Sequence, residues 1–123
     1  MYNDRDFSEL KGKTLKSVVG MNVGNDEIFF TTSTGEIYRM WHKQNCCESV
    51  TIDDVCGEVD DILNEEILIA EEVTNRDDRP RSKWDYSYTW TFYKLATRKG
   101  YVTIRWYGTS NGYYSENVDF TKV

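Results

Sequence analysis

Residues 101–107 alternate so cleanly between apolar and polar that both faces can be assigned: Val102, Ile104 and Trp106 point one way, Tyr101, Thr103, Arg105 and Tyr107 the other. A segment of this kind is a half-buried strand and demands a core on one side. Across the loop over residues 108–113, a last strand continues the division, with Val118 and Phe120 inward and Asn117, Asp119 and Thr121 outward. The two together predict a closing hairpin with a core face and a polar face.

The rest of the chain follows the same pattern. Residues 7–13 form a short polar lead-in, residues 14–20 have the β-branched content of a strand, and Gly24-Asn25-Asp26 turns the chain. Residues 27–32 and 36–41 make a hairpin around Ser33-Thr34-Gly35, completing a three-strand meander. Residues 49–52 read as extended. Asp53 then caps a predicted helix in which Val55, Val59, Ile62 and Leu63 recur at helical spacing, ending near Asn64. A strand over 67–73 precedes a long loop over 74–83. This loop carries the only proline, Pro80, and mixes Arg76, Arg79, Arg81 and Lys83 with Asp77 and Asp78, so it is expected to be solvated and mobile. Residues 86–97 are aromatic and β-branched, and residues 98–100 turn into the alternating strand. The prediction is an α+β, β-rich single domain over 1–123: a mostly antiparallel sheet or sandwich with one short amphipathic helix.

Composition limits the function. With 39% hydrophobic and 15% aromatic residues the chain folds rather than staying disordered. A net charge of -6 disfavours binding to duplex nucleic acid, where Lys and Arg supply the affinity. No run has the length of a membrane span, and the first residues lack a signal-peptide layout, so the expectation is a soluble cytoplasmic protein with no membrane partner. Three cysteines, two of them adjacent, make no disulfide framework and fit a reducing compartment.

Two polar loops, 42–49 and 108–116, each follow a strand and hold the candidate ligand-binding residues. In the first, His42, Gln44, Asn45 and Glu48 present polar tips while Cys46 and Cys47 pack as small buried thiols; Cys56 is assigned to the core. Metal binding is disfavoured, because adjacent cysteines do not easily share a tetrahedral ion, and no cofactor is expected. A cysteine nucleophile with His42 as base is chemically complete but matches no enzyme spacing. In the second loop, Asn111-Gly112 is a turn signal, and Thr109, Ser110, Tyr113 and Tyr114 add hydroxyls. Arg105, beside Tyr107, either meets an anion or forms a cross-strand pair with Asp119 or a neighbour. The paired carboxylates at 53–54, 60–61 and 65–66 lack calcium-loop spacing and read as a solvated face.

The runs 38–50, 52–57, 88–93 and 108–116, with the motifs His42-Lys43-Gln44-Asn45-Cys46-Cys47-Glu48-Ser49-Val50 and Gly108-Thr109-Ser110-Asn111-Gly112-Tyr113-Tyr114-Ser115-Glu116, resemble a family of small phage-encoded domains of unknown function across about residues 8–121. Asn45 stands where that pattern has an acidic residue. Small phage proteins of this size include sponges for the nucleotide signals of bacterial immunity, among them the Thoeris anti-defence proteins, oligomers with ligand pockets at subunit junctions. By analogy, the resemblance implies a non-enzymatic homo-oligomer of the host cytoplasm that binds a small nucleotide-type ligand. Trp90, Tyr107 or Tyr113 would stack the base, Arg105 would meet phosphate, and His42, Gln44, Ser110 and Asn111 would read the ribose and base edges. The alternatives are an inhibitor that docks on a host protein through exposed Tyr and Trp, and a cysteine-dependent enzyme.

Overall fold

The computed structural model describes residues 3–75 and 78–123 and consists of two antiparallel sheets. Met1, Tyr2, Arg76 and Asp77 lie outside the described residues, so the basic cluster expected in the long loop is described only from Arg79 onward. Among the described residues nine strands follow in chain order: β1 (Asn3–Asp4), β2 (Leu15–Val19), β3 (Glu27–Thr32), β4 (Ile37–Trp41), β5 (Ser49–Cys56), β6 (Ile69–Asn75), β7 (Ser87–Ala96), β8 (Tyr101–Ser110) and β9 (Asp119–Lys122). The first sheet runs β1-β9-β4-β3-β2 and the second β5-β8-β7-β6.

The predicted meander is β2, β3 and β4, with Phe30 opposite Tyr38 and Ile28 opposite Met40 on the inner face. The face assignment of β8 also holds: Val102, Ile104 and Trp106 are fully buried. Inner residues of both sheets form one core, and the Trp106 indole N–H of the second sheet donates to Met40 Sδ of the first at 3.2 Å. Burying each large apolar side chain contributes roughly 1.5–3 kcal/mol. Phe7 and Leu10 belong to this core, in a 3-10 turn at Phe7–Leu10, so the expected polar lead-in is an apolar plug capped by Asp6. Phe7 meets Tyr93 and Phe120 edge to face, at centroid distances of 4.8 and 5.3 Å.

Three expectations are corrected. First, no α-helix forms over 53–64 among the described residues: 53–56 extend β5, and Val59–Ile62 is a single 3-10 turn. Register shifts between Ile52 and Asp54, leaving Asp53 as an extra residue, and Val55 then pairs with Ile104 on the inner face. Gly57 ends the strand at φ +103°, where a Cβ would lie 2.3 Å from the Tyr101 carbonyl oxygen. Second, β8 and β9 are not a hairpin. β9 pairs with β4 and β1, so residues 111–118 carry the chain from one sheet to the other. Thr121, expected outward, is buried and accepts the Trp41 indole N–H at 3.1 Å. Third, the strand expected over 67–73 begins at Ile69, because the Ile67 backbone is engaged by Lys13 and Gly12.

Candidate functional site

The 42–49 loop is built around Glu48. Its buried carboxylate accepts hydrogen bonds from His42 Nε2 at 2.8 Å, from the backbone N–H of Asn45 and of Cys46, both at 2.9 Å, and from Gln44 Nε2 at 3.3 Å. Burial raises the Glu48 carboxyl, but hydrogen bonds from His42 and from the loop backbone outweigh it and hold the group at about 2. On its other side, His42 Nδ1 lies 2.7 Å from the Asn117 carbonyl oxygen. In the imidazolium form both ring nitrogens donate, one to each acceptor; in the neutral form one acceptor loses its donor.

This ring also ties the first loop to the segment that follows the second. Asn117 belongs to the segment leaving the second loop, and Lys43 N–H donates to Asp119 Oδ2 at 3.0 Å just beyond it. The Asn45 side chain is exposed and only its N–H serves the loop, so Glu48 receives the loop's hydrogen bonds whatever side chain occupies position 45.

The cysteine assignments are corrected. Cys46 and Cys47 are exposed and bonded to each other, and Cys56 is exposed rather than in the core. With Val55 facing inward from a strand, the neighbouring Cys56 must face outward. Both His42 nitrogens are engaged by oxygen, from Glu48 and Asn117.

The second loop also folds over a glutamate, one absent from the predicted site. Glu116 is buried and accepts the Thr89 hydroxyl at 2.8 Å and the Ser110 hydroxyl at 2.6 Å. Gly108 makes this possible: a Cβ there would lie 2.5 Å from the Glu116 carbonyl oxygen. The available signal was a lone carboxylate ending a run of hydroxyls and amides. Asn111 and Tyr113 are exposed at the tip, Tyr114 is half-buried, and Asn111 Oδ1 accepts the Tyr113 N–H at 3.0 Å.

Trp90, Arg105, Tyr107 and Thr109 share a third place, the outer face of the second sheet. Arg105 pairs with Asp53, at 2.6 Å from its guanidinium, and not with Asp119, which stands in the other sheet. Asp53 reaches Arg105 because it is the extra residue of the β5 bulge, and it also holds Arg81 at 3.2 Å. The Arg105 guanidinium lies 5.3 Å from the Trp90 ring and that of Arg81 lies 5.8 Å from the Tyr107 ring.

Trp90 and Tyr107 are nevertheless buried, because residues 78–86 are fastened across them. The Trp90 indole donates to the Arg79 carbonyl at 3.0 Å, the Tyr88 hydroxyl to the Asp78 carbonyl, and the Tyr107 hydroxyl to Asp85 while accepting the Arg81 N–H at 3.1 Å. Burial, then the Asp85 hydrogen bond, push the Tyr107 hydroxyl up to about 12. The loop expected to be mobile is thus held to the sheet over its described part, and neither ring offers a free face for stacking.

The twelve predicted residues therefore fall into three groups. Cavities of about 280, 270 and 320 Å3 accompany them: the first beside His42, Gln44 and Glu48, the second beside Tyr114 and Glu116, the third beside Arg81, Tyr107 and Thr109. Ser49 and Thr51 line both the first and the third.

No curated protein and no solved structure matches the chain. A family described as a domain of unknown function, DUF7448, matches residues 8–120, which takes in β2 to β8, both glutamate-centred loops and the Asp53 bulge. The chain belongs to the DUF7448 family.

Proposed function

We propose that this domain is a non-enzymatic, phage-encoded binding protein of the host cytoplasm that docks on a host protein through exposed aromatic rings. One observation carries the reading: Trp84, Tyr86 and Tyr113 are 81, 83 and 84% exposed on neighbouring loops. Tyr86 lies against Gly112, its Cε1 3.1 Å from where a Cβ would stand, and Tyr113 meets Tyr114 edge to face at 5.0 Å. Aromatic side chains of this kind dominate binding hot spots, and a net charge of -6 steers the domain towards a basic partner. His42, Gln44, Glu48 and Ser110, by contrast, spend their polar groups inside the fold.

The test compares the tagged chain with a Trp84→Ala, Tyr86→Ala, Tyr113→Ala variant in host lysate by quantitative mass spectrometry, followed by calorimetry with the purified partner. The variant is expected to keep its Tm and lose the partner. A partner retained equally by both would overturn the reading.

A second reading, a small nucleotide-type ligand, is favoured by the cavity of about 320 Å3, where Arg81, 56% exposed in its side chain, stands among the hydroxyls of Ser49, Thr51, Ser82, Tyr107 and Thr109. Here the chain would act as a homo-oligomer, which light scattering reads. Cyclic dinucleotides or ADP-ribose isomers would raise Tm in the wild type and not in Arg81→Ala.

A further inference from the structure

β5 is an edge strand, and its free edge is closed at two points and open between them. At Ile52 the N–H donates to the Asn25 carbonyl and the carbonyl accepts the Gly24 N–H, each at 2.8 Å. A strand residue turns its N–H and C=O to the same side, so both Ile52 groups point away from β8. Glu48, four residues earlier, has its carbonyl taken by Gln44 Nε2 at 2.5 Å. Val50 lies midway, with no bulge between it and Ile52, and so turns its own N–H and C=O to the free edge. Among the described residues nothing pairs with either group.

The Val50 side chain belongs to the core, yet Val50 lines the cavity of about 280 Å3, so its backbone is what the cavity meets. Backbone groups in folded proteins are nearly always paired, and an open donor and acceptor beside a cavity call for an occupant. The stretch from Glu48 to Ile52 spans about 13 Å at the rise of a strand and is blocked at one end by Gln44 and at the other by residues 24–25. An added strand pairs over several successive residues and does not fit this gap. A short flat group with a donor beside an acceptor does. The exposed carboxylate of Asp26 lines the same cavity and adds one more acceptor.

We propose that the open edge at Val50 reads the base of an amino-bearing purine nucleotide, which rests on the nucleotide reading of the neighbouring cavity. In adenine a ring nitrogen accepts the Val50 N–H, while the amino group donates one hydrogen to the Val50 carbonyl and the other to Asp26. Guanine meets the same three groups through O6, N1–H and its amino group. Ser49 and Thr51 flank Val50, stand opposite Thr109 and Tyr107 on the outer face, and line both this cavity and the one that holds Arg81. A base on the edge therefore has its phosphate on the Arg81 side of the same strand. Such a site needs neither the consumed polar groups of His42 and Glu48 nor the sealed rings of Trp90 and Tyr107.

The test is NMR of the nitrogen-15-labelled chain with calorimetry alongside. Before any ligand is added, the Val50 amide should exchange with deuterium faster than those of Thr51 and Ile52. Equal protection would mean that the fold already uses this donor, and would overturn the proposal. AMP or GMP should then move the Val50 amide resonance, and blocking the base edge, as in N6,N6-dimethyl-AMP or 1-methyl-GMP, should weaken binding about tenfold. Binding lost in Arg81→Ala but indifferent to base methylation would keep the nucleotide reading and overturn the Val50 edge. Adenosine or guanosine shifting Val50 equally in the wild type and in Arg81→Ala would uphold the edge and remove the phosphate contact. No binding by any of these probes would overturn both.

Discussion

Glu48 and Glu116 are both buried loop carboxylates, yet they are satisfied from opposite directions. Glu48 takes its hydrogen bonds from its own loop, through Asn45, Cys46, Gln44 and His42, all within six residues. Glu116 takes its bonds from the ends of β7 and β8, through Thr89 and Ser110. The first loop is therefore a unit wrapped around an anion and tied to the rest by the His42 bridge to Asn117. The second is a flap pinned to a sheet. A dense polar motif thus holds a loop's own shape in one case and docks a loop on its scaffold in the other, and in both cases most of the polar groups are consumed before any ligand arrives.

The two loops should answer substitution differently. The largest effect is expected from Glu48→Ala, which strands His42 and two loop amides at once; Tm should fall on the order of 10 °C in thermal unfolding followed by circular dichroism. A fall no larger than that of Glu116→Ala would erase the distinction. Gly108→Ala comes next, at about 1–3 kcal/mol in urea unfolding, because its methyl meets the Glu116 backbone and lifts the flap. Glu116→Gln should cost less, roughly 1–2 kcal/mol, since one of the Thr89 and Ser110 hydroxyls still donates to the amide oxygen while the other turns to accept from the amide N–H.

Acid separates the loops further. The Glu48 carboxyl is held at about 2 in the fold against an ordinary 4.5, so the unfolded chain binds its proton first as pH falls. Its stabilising contribution is complete above 4.5 and is lost between 4.5 and about 2. Hydrogen exchange at the Asn45 and Cys46 amides should accelerate over that window. If Glu48→Gln leaves the acid response intact, Glu48 is not its source. The smallest effect belongs to Cys46→Ser with Cys47→Ser: both positions are exposed and adjacent, so stability should change by less than about 0.5 kcal/mol.

Much of the fold was legible locally. The alternation over Tyr101–Tyr107 and the hairpin at Ser33-Thr34-Gly35 place β8, β3 and β4, because the two-residue period of a strand depends only on neighbours. The helix over 53–64 failed on a conflict present in the sequence. Apolar spacing from Val55 to Leu63 fits a helix, but Gly57 sits in its middle and Thr51 and Val55 favour a strand. The candidate site was legible as two loops, and their residue types did mark structured segments. What those side chains face was not legible. Whether Glu48 or Arg105 meets a ligand or an internal partner depends on groups brought in from elsewhere in the chain, as with Asp53 and Arg105, 52 positions apart.

By itself, then, the sequence determined the strand periodicity, the hairpin of the first sheet and the inner face of β8, because these follow from backbone geometry and near neighbours. That β9 leaves β8 to pair with β4, and that residues 78–86 seal Trp90 and Tyr107, follow only from the tertiary structure. Those outcomes turn on which distant surfaces bury against each other. Burial decides whether a polar group is solvated, paired within the fold, or left with an unused hydrogen bond.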